Sequence, residues 1–210
     1  MSDICKEIHE LFNSMKRMTF PFDEKNIPKN GIYVLFEKGE RAHNIDRIVR
    51  IGTHTGENQL RSRLKQHFSN ENKDRSIFRK NIGRALLNKH NDSFLDHWEL
   101  DLTTKAAKEK FSKNINFDKQ REVEKTVTKY MQESFSFIVF PVELKEKRLA
   151  TESKIISTIA ACDTCKASST WLGKHSPKEK IKDSGLWLVN ELYKEPLSEE
   201  ELSELKKRFS

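Results

Sequence analysis

Gly31-Ile32-Tyr33-Val34-Leu35-Phe36 and Ile48-Val49-Arg50-Ile51-Gly52 are the two stretches that decide how this chain folds. Each is a short apolar run rich in β-branched and aromatic residues, a composition that suits a pleated, half-buried surface. Lys38-Gly39-Glu40 begins the link between them. Two β-rich runs so close in sequence pair antiparallel most simply. The turn residues Thr55-Gly56-Glu57-Asn58 then lead into a basic helical segment, Asn58 to Phe68, with Leu60, Leu64 and Phe68 on its buried stripe.

Outward from this centre the chain alternates helical and extended patterns. A helix is expected from Asp3 to Lys16, where Ile4, Ile8, Leu11 and Met15 recur at helical spacing. Helices are also expected over Ser76–Lys89, Gln120–Glu133 and Leu149–Ala161, and strands over Phe94–Leu102, with Trp98 buried, and Phe135–Val142. Lys105 to Phe117 is lysine-rich and carries no clear pattern. Ser198-Glu199-Glu200-Glu201 reads as a capping-box start to a last helix. The pattern predicts one α+β domain over residues 1–210: a small, mainly antiparallel sheet of three or slightly more strands flanked by helices. Its core is 28–68 and 135–161, with a helical insertion at 70–133 and a C-terminal extension at 171–210.

The 210 residues suffice for one substantial core. A formal net charge of +7 favours a polyanionic partner, though 32 acidic residues mean that any binding face must come from local clustering. No apolar run approaches the roughly 20 residues a membrane span needs. The charged, helix-patterned N-terminus does not read as a signal peptide, so the expected compartment is the cytoplasm, or the nucleus in a nucleated host. Three cysteines make no disulfide framework. Cys162-Asp163-Thr164-Cys165 has only His175 nearby as a further metal ligand, so reduced cysteines at a helix end are the expected reading.

Glu152 stands out chemically. On a helix it falls at the centre of the arc made by Leu149, Ile155, Ile156 and Ile159. An ionised carboxylate on such a face is costly unless it is paired or holds a metal. Pairing with Arg148 is the structural alternative. Arg61 and Arg63 point roughly 160° apart on their helix, so both cannot face one atom, and Arg63 shares a flank with His67 at i, i+4.

The order Gly31-Ile32-Tyr33, Arg50-Ile51-Gly52, basic helix, strand and Glu152 helix resembles the GIY-YIG nuclease superfamily. The resemblance covers Gly31 to Phe68 and Phe135 to Ala161. It departs at Arg50, where a tyrosine is usual, and at the asparagine that often follows the glutamate. It implies an endonuclease in which Tyr33 accepts a proton from the attacking water, Arg63 binds the scissile phosphate and Glu152 holds the metal. His67 would relay a proton or hold phosphate, and Arg50 would replace the missing tyrosine if its side chain faces the site. One inward carboxylate argues for one hard cation, Mg²⁺ or Mn²⁺.

The expected partner is DNA, double-stranded in the first instance, with no membrane association. Arg79, Lys80 and Arg84, with Arg61 and Lys174, are the expected backbone-tracking cations. The sequence assigns no oligomeric state; a symmetric duplex site would call for a dimer or two successive nicks. A non-catalytic nucleic-acid-binding module on the same fold and an RNA-directed nuclease are the alternatives.

Overall fold

The computed structural model describes residues 2–209. In chain order its elements are α1 (Ser2–Ser14), β1 (Met18–Thr19), β2 (Gly31–Ala42), β3 (Ile45–Gly52), α2 (Leu60–Phe68), α3 (Ile77–Lys89), α4 (Leu95–Glu99) and α5 (Lys105–Phe111). Then come α6 (Phe117–Ser134), β4 (Phe135–Pro141), α7 (Lys145–Ala160), α8 (Glu179–Ser184) and α9 (Glu199–Lys207). The α+β class is as the sequence predicts. The sheet has four strands in the order β1-β4-β2-β3, every neighbouring pair antiparallel.

The hairpin differs from the expected one in where it turns. β2 runs through Lys38-Gly39-Glu40 to Ala42, and the reversal is the pair His43-Asn44 between partners Ala42 and Ile45. Both turn residues have positive φ, 53° and 66°, the geometry that matches strand twist in a two-residue hairpin. Lys38-Gly39-Glu40 is surplus length on β2, where the register slips between Phe36 and Arg41. Gly39, at φ 89°, supplies the irregular backbone.

Alternation along β2 divides the core between the two sheet faces. Ile32, Val34 and Phe36 pack with Ile8 and Phe12 of α1, Ile155 and Ile159 of α7, and Leu202 and Leu205 of α9. Tyr33 and Leu35 pack with Leu64 and Phe68 of α2, Phe78 and Ile82 of α3, Val127 of α6, and Trp98, Trp171 and Trp187. The C-terminal stretch is keyed into the second face. Trp187 donates its amide to the Val49 carbonyl at 2.8 Å. The indoles of Trp171 and Trp187 both donate to Glu37, at 2.7 and 2.8 Å, and the Tyr130 hydroxyl donates to the other oxygen of that buried carboxylate.

Two expectations are corrected here. Phe94 to Leu102 is no strand: Asp92 receives the Phe94 amide at 2.9 Å and launches the helical turn α4. Trp98 is buried as expected, its indole donating to the Lys80 carbonyl at 3.0 Å. The second correction concerns Arg79, Lys80 and Arg84, which do not form a duplex-tracking surface. Helix α3 is enclosed by neighbours, and all three cations are buried. Arg79 pairs with the equally buried Glu124 of α6 at 2.6 Å and donates to the His67 carbonyl at 2.9 Å. Lys80 donates to the Glu99 carbonyl at 2.7 Å, and Arg84 forms a bidentate pair with the Glu99 carboxylate at 2.6 and 2.5 Å. Cations alternating with apolar residues resemble a solvated face until the carboxylates that neutralise them come from elsewhere in the chain.

Candidate active site

Strand β3 ends at Gly52, and the next residues, Thr53-His54-Thr55, meet α2 and α7 around a polar cleft of about 360 Å³. Arg63 and Gln66 of α2, Glu152 of α7 and His54 line it. The structure therefore separates the two arginines that periodicity left open. Arg63 faces the cleft and donates to the Gln66 side chain and the Arg75 carbonyl, each at 3.2 Å. Arg61 turns to the opposite flank and donates to the Ile27 carbonyl at 2.7 Å.

Glu152 does not pair with Arg148. The Arg148 guanidinium is buried against the carbonyls of Val142 and Glu143, at 3.1 and 2.7 Å. Among the described residues Glu152 makes no ion pair, and its carboxyl is pushed up to about 7. Burial is the main cause, and the Glu191 carboxylate adds to it. Arg50, the Thr53 amide and Arg63 pull in the other direction. An oxygen donor short of partners, facing a polar cleft with room for water, fits a hard divalent cation.

Tyr33, His67 and Arg50 are buried and do not line the cleft. The Tyr33 hydroxyl meets His67 Nε2 at 2.8 Å, and His67 Nδ1 meets the Ser76 hydroxyl at 2.7 Å. Ser76 is itself fixed as the N-cap of α3, accepting the Arg79 amide at 3.2 Å. His67 is fully buried, and its pKa lies well below the ordinary histidine range because of that burial first and then the charges of Arg63, Arg50 and Arg79. It is neutral at physiological pH.

Arg50 faces this site. It pairs across the sheet with Leu35, two positions along from the Tyr33–Gly52 pair, and so shares the Tyr33 face. Its guanidinium donates to the Trp187 carbonyl and lies 4.8 Å from the Phe78 ring centre. Its Nε is buried without a hydrogen-bond partner among the described residues. Arg50 and Arg63 act electrostatically on both His67 and Glu152. The buried tyrosine–histidine pair and the cleft carboxylate are thus parts of one charged cluster.

Of the remaining predicted residues, Lys174 is exposed, its ammonium reaching the Lys182 carbonyl at 3.3 Å. Sequence reasoning missed Gln66, Ser76 and Glu191. Gln66 stands three residues after Arg63 on the same helix flank, a signal present in the spacing. Along the sequence Ser76 marks only the start of a helix. Glu191 comes from the C-terminal stretch, with Oε2 accepting from the Ser153 hydroxyl at 2.6 Å, and no local pattern marks it.

The structure thus sets the two triplets on paired strands of an antiparallel sheet, with the cleft beside α2 and α7. Residues 2–210 match the model of the GIY-YIG domain family, so the chain belongs to that family, whose members are in general endonucleases acting on nucleic acids. Comparisons with curated proteins and with solved structures returned no match. No helix among the described residues is long and apolar enough to cross a membrane.

Proposed function

We propose that this protein is a divalent-metal-dependent DNA endonuclease. One observation carries the reading: the Tyr33 hydroxyl lies 2.8 Å from His67, and the helix that holds His67 also brings Arg63 to the cleft that Glu152 lines. Arg63 would receive the scissile phosphate from the cleft side and balance the charge that grows on it during attack. Tyr33 would take a proton from the attacking water while passing its own hydroxyl proton to His67 Nε2. His67 can accept because burial and then the neighbouring arginines keep it neutral, and the negative phosphate then offsets the imidazolium that forms. Ser76 holds the far ring nitrogen throughout. A single Mg²⁺ or Mn²⁺ held by Glu152 would supply Lewis-acid stabilisation of the phosphate charge.

The burial of Tyr33 favours a second reading. With no exposed surface on Tyr33 and an arginine in the second triplet, the same fold would serve as a nucleic-acid-binding module without cleavage. For catalysis, substrate must open a path from the cleft to the hydroxyl. The test is cleavage and binding of plasmid DNA, and of paired DNA and RNA duplexes, by the wild type and Glu152→Ala, with Mg²⁺, Mn²⁺ or chelator. The nuclease reading expects metal-dependent cutting of DNA that is lost in the variant while binding persists. Binding without cutting by the folded wild type would establish the module instead, and cutting confined to RNA would reassign the substrate.

A further inference from the structure

A second cluster of chemically capable side chains lies on the other face of the sheet. Cys5 and His9 stand four residues apart on α1 and so share one helix face. His43 is the first residue of the β2–β3 turn, and Cys165 closes the C-x-x-C stretch after α7. One ligand atom from each of the four lies within 4.8 Å of all the others. His9 Nδ1 is 3.6 Å from Cys5 Sγ, and His9 Nε2 is 3.6 Å from Cys165 Sγ. The two imidazole rings meet edge to face with centroids 5.1 Å apart.

We propose that Cys5, His9, His43 and Cys165 form a structural zinc site. Two thiols and two imidazoles are the soft and borderline donors that select Zn²⁺ and reject Mg²⁺ and Mn²⁺. Zinc bonds of about 2.0–2.3 Å place the corners of a tetrahedron roughly 3.3–3.8 Å apart. The Cys165 Sγ–His9 Nε2 separation already has that length, and the other ligand atoms, all within 4.8 Å of one another, need only small side-chain adjustments to reach it. His9 Nδ1 lies 2.9 Å from the Cys5 carbonyl, a bond that fixes the proton there and leaves Nε2 as the ligand. The Ile48 amide approaches that nitrogen at 3.2 Å and would yield it to the metal. Cys5, His9 and Cys165 are almost completely buried, which suits a closed structural centre with no open position for substrate. Such a centre would pin α1, the hairpin turn and the loop after α7 to one another.

Cys162 lies close by, its sulfur 3.8 Å from His43 Nε2 and 3.3 Å from the Thr164 hydroxyl, but it is outside the proposed ligand set. The site is independent of the nuclease reading, because it lies on the opposite sheet face from Tyr33.

The experiment uses the untagged full chain, purified from zinc-supplemented medium under reducing conditions. Elemental analysis should find one zinc per chain. Co²⁺ loading of the zinc-free wild type should produce the intense visible absorption and the thiolate charge-transfer band of a tetrahedral mixed sulfur–nitrogen centre. Cys5→Ser and Cys165→Ser should weaken zinc binding against a chromophoric chelator at least about tenfold, and Cys162→Ser should leave it unchanged. A wild type that takes up neither metal overturns the proposal, whatever the folding of the variants. Dependence on Cys162 in place of Cys165 overturns the ligand set.

Discussion

Gly52 stands directly across the β2–β3 pair from Tyr33, and a methyl group on its Cα would lie 2.1 Å from the Tyr33 hydroxyl oxygen. The tyrosine ring crosses the strand at the one position that has no side chain. The glycine of the second triplet is therefore space for the tyrosine of the first. That space lets the hydroxyl reach His67 at 2.8 Å while the ring stays fully buried.

Replacing Gly52 by alanine should consequently damage folding and chemistry together. The ring is packed on every side, so the clash cannot be relieved cheaply, and a loss of about 1–3 kcal/mol is expected. Urea denaturation should show a lower midpoint, and cleavage should fall with it. A Gly52→Ala protein with an unchanged midpoint and full activity would contradict the packing described here.

Tyr33→Phe separates the hydroxyl from the ring. The packing is kept and one buried hydrogen bond is lost, so stability should change by roughly 1 kcal/mol. If the hydroxyl moves the proton of the attacking water, the cleavage rate should drop by about 10²–10⁴-fold with DNA binding retained. Wild-type cutting by this variant would remove Tyr33 from the mechanism.

Glu152 sets a pH dependence in both metal binding and stability. Its carboxyl titrates near 7 in the fold against an ordinary value of 4.5. A cation must displace that proton below this point, so metal affinity should rise with pH through about 7 and level off above it. For stability the folded state holds the proton more tightly than the unfolded chain. Without metal, stability is then greatest at low pH and declines as pH rises from about 4.5 to about 7. Glu152→Gln should remove this decline, gaining roughly 2–3 kcal/mol at pH 8 in chelator while abolishing cleavage. Chemical denaturation across pH would show no such gain if the carboxylate were well solvated.

Arg50 should be felt at His67 and at Glu152 alike. Removing its charge as Arg50→Gln should raise the histidine pKa and push the Glu152 carboxyl higher still. In the wild type the unfolded chain protonates His67 near 6.5 and the folded chain does not. The histidine's contribution to stability is thus present above about 6.5 and lost as pH falls below it. Arg50→Gln should soften that acid limb. Nuclear magnetic resonance titration of the His67 ring reads the shift directly; an unmoved titration would show that Arg50 acts elsewhere.

The sequence by itself determined the α+β class, the pairing of Gly31–Phe36 with Ile48–Gly52, the helical placement of Arg63, His67 and Glu152, and the capping box that starts α9. These are encoded locally, in alternation, helical period and cap chemistry, so no distant residue was needed to read them. Only the tertiary structure decided which cations are surface. Arg79, Lys80 and Arg84 look solvated along the chain, yet their neutralising partners Glu124 and Glu99 arrive from other helices. The burial of Tyr33 against His67 and the turning of Arg50 to the Tyr33 face of the sheet were likewise decided in three dimensions. So was the gathering of Cys5, His9, His43 and Cys165 from three separate segments. Burial and long-range charge are properties of how faces meet, and a one-dimensional pattern records a face without recording what covers it.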